Sequence, residues 1–228
     1  MTWTFPAPLC VFARAEIRRE KYDAFKKLAQ SVAFAYQQHP ARLEWSAYAT
    51  VAGPSLGVYV IIPLAGLGAM DEMVSLDRVM TDVYGSEGQA KLAEFQSCVL
   101  QMNTSVLNRI DLGLVPGPAR AEPAPYLYYA NIKVNPAGAD RFLNGMRQVA
   151  ALMPSAPFTM YGTFAGVTRV HAFAMGERIA DLELVGKLQS RIASGYGEET
   201  GEQIWAGIHD GLEETETSIL RHIGHQEP

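Results

Sequence analysis

The sequence predicts an α+β fold made of two tandem units, each running strand, helix, strand, strand, helix, strand. Three observations predict it: an internal repeat, a proline-rich segment between the copies, and apolar spacings that switch between the strand and the helix period. We expect residues 1–115 to form the first unit, residues 116–125 a linker and residues 126–228 the second unit. Apolar residues make up 48% of the 228, which is enough for a packed core.

The internal repeat keeps its order and nearly keeps its spacing along the chain. The matches include Phe25 with Phe142, Tyr48 with Tyr161, Tyr84 with Tyr196 and Thr104 with Thr217, at offsets of 117, 113, 112 and 113 residues. A duplication followed by small loop deletions produces such a drift. Between the copies, residues 116–125 carry four prolines and favour an extended, semi-rigid linker.

Each copy begins with a strand and a helix. The first strands are expected at Leu9–Ile17 and Tyr126–Val134, where β-branched and aromatic residues are frequent. In the first helices, apolar residues fall three or four apart between residues 22 and 36 and between residues 142 and 153. The spacing therefore predicts one amphipathic helix after each first strand.

Two strands around a turn follow, and then a long helical region in two pieces. The strand pairs are expected over residues 43–52 and 56–64, and over residues 158–165 and 169–175. In the helical region, Gly85 ends one piece and Ser86 begins the next, with Gly197 at the matching point of the second copy. The second pieces run from Leu92 to Val106 and from Ile204 to Ile219, and a short strand is expected at residues 111–115.

This element order is the ferredoxin-like one, whose antiparallel sheet carries helices on one face only. Two copies can cover each other's free sheet faces, so the sequence predicts antiparallel sheets packed face to face as an intramolecular α+β barrel. The order, with the breaks Tyr84-Gly85-Ser86-Glu87 and Tyr196-Gly197-Glu198-Glu199, resembles the dimeric α+β barrel superfamily. Within it the breaks resemble those of the antibiotic-biosynthesis-monooxygenase and NIPSNAP kinds. The superfamily also includes EthD-like proteins and haem-binding chlorite dismutases.

Composition excludes several other classes of function. The net charge is −5 and no basic tract occurs, which argues against a nucleic-acid partner. No apolar stretch is long enough to span a membrane and no secretory signal is visible, so we expect a cytoplasmic protein without a membrane partner. Two isolated cysteines cannot build a disulfide framework or a thiolate metal cage. Nucleotide-binding glycine motifs and a serine nucleophile elbow do not occur.

Strand alternation gives each strand an apolar face for the helices and a second face that mixes aromatic and polar residues. Such a mixture is typical of a small-molecule cavity. The second face carries Phe12, Arg14, Tyr48, Tyr59, Tyr129, Asn131, Lys133, Tyr161, His171 and Phe173.

Four of these residues form the expected catalytic set. His171 titrates near neutrality and is the candidate base. Tyr48 and Tyr161 can donate hydrogen bonds to a carbonyl or anionic oxygen, and Arg14 can hold a carboxylate or enolate. The expected ligand-binding residues are Phe12, Tyr59, Tyr129, Asn131, Lys133 and Phe173. The alternative for each polar residue is structural: a solvated strand face, or an ion-pair network of Arg14, Glu16 and Lys133.

The resemblance implies a cofactor-independent monooxygenase or isomerase that acts on an aromatic or polyketide-like substrate, without bound metal. A non-catalytic ligand-binding or structural barrel is the alternative, and a homodimer of this pseudo-dimeric chain stays open. A haem protein is a third hypothesis, since chlorite-dismutase-like barrels hold haem iron through a helical histidine. His209 is the candidate, but it lies one step off the apolar stripe of Ile208 and Leu212 and has no metal-spaced partner. We interpret it as a histidine at the edge of that stripe.

Overall fold

The computed structural model describes residue 3 and residues 5–40, 43–113, 120–152, 158–163 and 166–226. The first half contains β1 (Leu9–Ile17), α1 (Tyr22–Gln38), β2 (Trp45–Ala52), β3 (Gly57–Leu64), α2 (Leu76–Tyr84), α3 (Ser86–Cys98) and β4 (Val99–Arg109). The second half contains β5 (Tyr126–Val134), α4 (Ala139–Ala151), β6 (Phe158–Thr163), β7 (Gly166–Gly176), α5 (Glu183–Gly186), α6 (Leu188–Tyr196), α7 (Glu198–Asp210) and β8 (Leu212–Gln226). No helix in the described part of the chain is long and apolar enough to cross a membrane.

The strands form one closed antiparallel barrel in the order β1-β3-β2-β8-β5-β7-β6-β4. Within it the first four strands follow the order β4-β1-β3-β2 and the last four follow β8-β5-β7-β6. The halves join by hydrogen bonds at two seams: β2 pairs with β8 from Trp45 to Ala52, whereas β4 pairs with β6 only from Leu107 to Arg109. The α+β barrel expected from the sequence is confirmed, and its sheets meet edge to edge as well as face to face.

The helices pack on the outside of the barrel, against the apolar strand faces that alternation predicts. In the first half Ile17 and Val58 contact a cluster with Phe25 of α1. In the second half Ile132 and Val134 belong to a cluster with α4 and α7 side chains. Because successive strand residues point to opposite faces, the intervening side chains must point into the barrel.

The helical regions expected from Leu92 to Val106 and from Ile204 to Ile219 are wrong in their second halves. The chain turns from α3 into β4 at Val99, and from α7 into β8 at Leu212. Apolar residues continue at spacings of three and four across both junctions. The sequence pattern therefore does not show where the helix ends and the strand begins. Tertiary pairing decides it, because β4 supplies an edge partner to β1, and β8 hydrogen-bonds to β2 and β5 on its two sides.

Several other boundaries differ from expectation. Residues 111–113 form no strand, because β4 already fills the position at which a final strand of the first half must pair. Residues 114–119, Met153 and residues 164–165 lie outside the described residues. The strand expected over residues 169–175 is longer and spans Gly166–Gly176, whereas β1 and β5 have the expected bounds.

Two pairs of glycines occupy matching places in the two halves. Gly85 before α3 and Gly197 before α7 have φ angles of 58° and 84°, a region that favours glycine. A Cβ on Gly88 would lie against the carbonyl of Met80, and one on Gly201 would lie 2.8 Å from Cα of Ala193. Each glycine therefore allows the last helix of its half to cross the backbone of the preceding helix closely.

Candidate functional site

The interior of the barrel is packed with aromatic rings. At its centre lies the ring of Phe12, with its centroid 5.2 Å from that of Tyr129, 5.4 Å from His171 and 5.5 Å from Phe173. Such spacings are typical of attractive aromatic pairs. The buried cluster around it consists of Trp3, Phe5, Cys10, Phe12, Tyr48, Tyr59, Ile61, Leu107, Ala124, Leu127, Tyr129, Tyr161, Phe173, Met175 and Leu220.

Three buried polar residues are neighbours of Tyr129, and together with it we call them the Tyr129 cluster: Tyr59, Tyr129, His171 and Ser218. Nδ1 of His171 is 2.9 Å from the Tyr129 hydroxyl. Ser218 lies opposite Tyr129 on the neighbouring strand β8, and the Tyr59 ring centroid is 5.3 Å from that of Tyr129. The His171 Nε2, the Tyr59 hydroxyl and the Ser218 hydroxyl are buried and have no hydrogen-bond partner within the part of the chain that the structure describes. Such orphaned groups are rare in folded proteins and call for an explanation.

An ion pair crosses the barrel interior above this cluster. Arg14 of β1 donates to both carboxylate oxygens of Glu216 of β8, one of them at 2.8 Å. It also donates to the Ser55 hydroxyl at 3.1 Å, and its guanidinium lies 5.7 Å from the centre of the Tyr59 ring. The Arg14 and Glu216 side chains are 19% and 28% exposed, so the pair separates the Tyr129 cluster from solvent at this end.

Burial sets the protonation of the Tyr129–His171 pair. It lowers the pKa of His171 to about 4, assisted by the positive charge of Arg169, and it raises the pKa of Tyr129. At neutral pH the imidazole is therefore uncharged and the phenol keeps its proton. We assign the bond as Tyr129 O–H to Nδ1, since the phenol is the stronger donor, which leaves the imidazole hydrogen on Nε2.

The chain's own N-terminal segment closes the opposite end of the interior. This plug, defined as Trp3 and residues 5–8, precedes β1, whereas Arg14 lies towards the end of that strand. The Phe5 ring stacks on Tyr161 with centroids 5.6 Å apart, and the Tyr161 hydroxyl donates to the Ala7 carbonyl at 2.8 Å. Tyr161, expected to be catalytic, is thus placed at the plug and its hydroxyl is occupied.

Tyr48 lies at the seam between the halves, beside two histidines of β8. His222 is 5.4 Å from Tyr48 and 5.2 Å from His225, measured between ring centroids. The register shifts where Ala47 pairs with Gly224 but Tyr48 pairs with His222. This bulge lets side chains three apart share one face. Strand alternation continued through β8 would have identified Glu216 and Ser218, but not this bulge.

The two remaining polar residues of the expected site lie at the rim. Asn131 accepts a hydrogen bond from Arg169 at 3.2 Å, and Lys133 forms an ion pair with Glu213 at 2.7 Å. The Lys133 side chain is half exposed. The structure therefore brings Arg14, Tyr59, Tyr129 and His171 together with Phe12 and Phe173, and it separates Lys133 from them.

Comparison with known proteins gives a fold and no family. No protein-family model matches the chain, and no curated protein matches its sequence. A proposed monooxygenase from Fusobacterium nucleatum superposes with a TM-score of 0.61 at 9% identity, covering 97% of this chain and 94% of that one. An anthrone oxidase-like protein gives 0.57 at 12% identity, covering 95% and 92%. A haem-binding protein from Thermus thermophilus gives 0.52 at 9% identity, again covering 95% and 92%.

The position of His209 does not fit the haem ligand that the third hypothesis requires. His209 of α7 is exposed, with its ring centroid 4.8 Å from that of Trp205. The inner face of the same helix is occupied by Ile204 and Ile208, which pack in the second-half core. Within the described ranges, no three His, Cys, Asp or Glu side chains stand close enough to hold a metal ion. What the chain shares with these structures is the overall fold.

Proposed function

We propose that this protein binds a small molecule at the Tyr129 cluster, beneath the Arg14–Glu216 ion pair. One observation carries the proposal: three buried polar atoms, on Tyr59, His171 and Ser218, lack hydrogen-bond partners around one tyrosine. A buried group without a partner costs about 1–3 kcal/mol, and a ligand that supplies the missing partners recovers that free energy. Sites kept for ligands are a common reason for such a cost.

The groups at this site favour a ligand with carbonyl or anionic oxygens. Nε2 of His171 and the Tyr59 and Ser218 hydroxyls are all able to donate, and Arg14 adds a positive charge. Preorganised donors stabilise a developing oxyanion more than they stabilise a neutral carbonyl. Phe12 and Phe173 would supply the apolar walls for an aromatic or polyketide-like molecule.

We further propose a cofactor-independent oxygenation or isomerisation of a substrate that binds already ionised, as an enolate or phenolate, so that no base of the protein is required. In the oxygenation, molecular oxygen is the oxidant: it takes the electrons, a CH2 group of the substrate becomes C=O and water leaves. A base is most effective when its pKa is near the working pH, so a His171 pKa of about 4 disfavours the expected role as base. His171 instead donates through Nε2 to the oxyanion, oriented by Tyr129. Arg14 releases Glu216 to pair with the same oxyanion, while Tyr48 and Tyr161 act outside this step.

A non-catalytic ligand-binding or structural barrel is the second candidate. It is favoured by the density of the interior, where the Phe12 ring packs against rings of β3, β5 and β7 and the plug adds Phe5. In that case the Tyr129 cluster binds without turnover. The two candidates differ in whether a bound ligand is converted.

We also propose that the chain arose by tandem duplication, with residues 1–115 and 126–228 as the copies. The matching glycines at 88 and 201 support this at the sequence offset of 113. A second support is the register shift after Glu16 in the β1–β4 pair and after Lys133 in the β5–β8 pair. The homodimer of this pseudo-dimeric chain stays a prediction, for which sedimentation equilibrium is the measurement.

Isothermal titration with hydroxylated aromatic ketones, aromatic acids and quinones tests the site. We expect at least one to bind, and we expect Ser218→Ala and Tyr59→Phe to weaken it by about tenfold each, the worth of one hydrogen bond. Tyr128→Phe is the matched control, because that residue neighbours Tyr129 on the outer face. Oxygen uptake or isomer formation by a bound compound supports the catalytic form. Absence of binding across the panel overturns the site.

A further inference from the structure

The N-terminal plug places two aromatic side chains in the barrel that belong to none of its strands. Trp3 and Phe5 are 5% and 4% exposed. The Phe5 ring lies parallel to Tyr161, with 12° between their planes, and meets Phe173 edge-on at 87°. A parallel ring on one side and a ring edge on the other form a slot that fits a flat aromatic molecule.

Hydrogen bonds hold the described residues of the plug at both of its ends, including one from Arg109 N to the Pro8 carbonyl at 2.9 Å. Trp3 N donates to the Arg120 carbonyl at 2.8 Å, and the Tyr161 hydroxyl donates to Ala7. Arg109 reaches the Pro6 carbonyl at 3.4 Å, near the limit of a hydrogen bond. The indole N–H of Trp3 is buried and has no acceptor among the described residues, so its hydrogen bond to water is lost on insertion and regained on withdrawal.

We propose that the plug occupies a second binding site, whose ligand is a planar, largely apolar aromatic molecule with one oxygen acceptor. The ligand takes the place of Phe5 against Tyr161 and Phe173, and Trp3 moves into water. The Tyr161 hydroxyl, released from the Ala7 carbonyl, then donates to the ligand oxygen. Leu127 and Met175 belong to the same buried apolar cluster as Phe5 and Tyr161.

This site adjoins the Tyr129 cluster but offers a ligand different contacts. Tyr161 pairs with His171 across β6 and β7, and both sites share the ring of Phe173. The ring of Phe173 lies between Phe5 and Phe12, and Phe12 in turn contacts Tyr59 and His171. A ligand at the plug end therefore meets Tyr161 and one side of Phe173, whereas a ligand at the Arg14 end meets Tyr59 and His171. Substitutions at each end distinguish the two sites.

The test uses 2-naphthol, a flat bicyclic probe with one oxygen, and reads both affinity and the position of Trp3. Of the three tryptophans, Trp45 and Trp205 are replaced by Phe so that Trp3 reports alone. We expect 2-naphthol to shift the Trp3 emission to the red, as the indole enters water. We expect Trp3→Ala/Phe5→Ala to bind the probe at least tenfold more tightly than the full chain, because the competing side chains are gone.

Two controls separate this site from a cavity made by mutation and from the Tyr129 cluster. Phe142→Ala removes an equally buried ring from the outer core, and it should leave 2-naphthol affinity unchanged. When Tyr161→Phe is added to Trp3→Ala/Phe5→Ala, the affinity for 2-naphthol should fall several-fold. Adding Tyr59→Phe to the same variant should leave that affinity unchanged. Trp3 emission that stays constant at saturating probe overturns the proposal, as does an equal gain of affinity in Phe142→Ala. Should the double variant fail to fold, the Trp3 emission of the full chain decides alone.

Discussion

The hydroxyl of Tyr129 and Nδ1 of His171 lie 2.9 Å apart in the middle of the barrel, on neighbouring strands whose side chains face inwards. Both groups are buried, and burial keeps both uncharged at neutral pH. This hydrogen bond fixes the orientation of the imidazole, so its second nitrogen points away from Tyr129 without a partner. The pair is therefore preorganised to hold a ligand oxygen, and each of its properties is measurable.

The depressed pKa of His171 predicts a specific pH dependence of stability. The folded-state pKa is about 4 and the ordinary value is 6.5, so between these values the unfolded chain binds a proton that the folded chain does not. The contribution is complete above pH 6.5 and is lost as the pH falls towards 4. It amounts to about 3 kcal/mol, at 1.36 kcal/mol per pKa unit.

Urea unfolding of the wild type and of His171→Gln at pH 7 and pH 4.5 measures this contribution. Gln can keep a hydrogen bond to Tyr129 but does not titrate. We expect the wild type to lose about 2–3 kcal/mol more than the variant between the two pH values. Equal losses in both proteins would show that His171 titrates normally in the folded state.

Loss of the hydroxyl should change the free energy of unfolding differently at two tyrosines of the Tyr129 cluster. Tyr129→Phe leaves Nδ1 of His171 buried without a donor, so we expect the free energy of unfolding to fall by about 1–3 kcal/mol. Tyr59→Phe removes a hydroxyl that has no partner, so the free energy should stay within about 0.5 kcal/mol or rise. Equal destabilisation by the two changes, measured by chemical denaturation, contradicts the hydrogen-bond assignment.

The ion pair across the barrel should show strong coupling between Arg14 and Glu216. Removing one partner leaves the other charge mostly buried, so Arg14→Met and Glu216→Gln should each lower the free energy of unfolding by about 1–3 kcal/mol. The double variant should lose clearly less than the sum, with a coupling energy of at least about 1 kcal/mol. Additive losses would mean that the two side chains do not interact in solution.

The close crossing of α6 and α7 predicts opposite effects of two alanines on one helix. Gly201→Ala places a methyl group 2.8 Å from Cα of Ala193 and should destabilise the protein by about 1–3 kcal/mol. Gly207→Ala on the same helix meets nothing within 4 Å and should stabilise it by up to about 1 kcal/mol. Thermal unfolding compares the two directly, and a neutral Gly201→Ala would contradict the backbone contact.

Local pattern predicted the inward face well, because strand alternation is a property of the backbone itself. Phe12, Tyr59, Tyr129, His171 and Phe173 all face the interior as expected. The chemical roles of these residues could be predicted less well from the sequence. A role depends on the pKa of the side chain, and the pKa depends on burial and neighbouring charges that the spacing of residues does not reveal. His171 was expected as a base from its ordinary pKa, and its burial argues for a donor instead.

The sequence by itself determined the order of most elements and the alternation that divides each strand into two faces. Tertiary structure decided where helix gave way to strand, since β4 and β8 form to satisfy the edges of β1 and β5. It also decided which distant groups meet: Arg14 with Glu216, and the plug with Tyr161. The spacing of apolar residues gives information only about positions close together in the sequence. Barrel closure, in contrast, brings together residues about 150 to 200 positions apart.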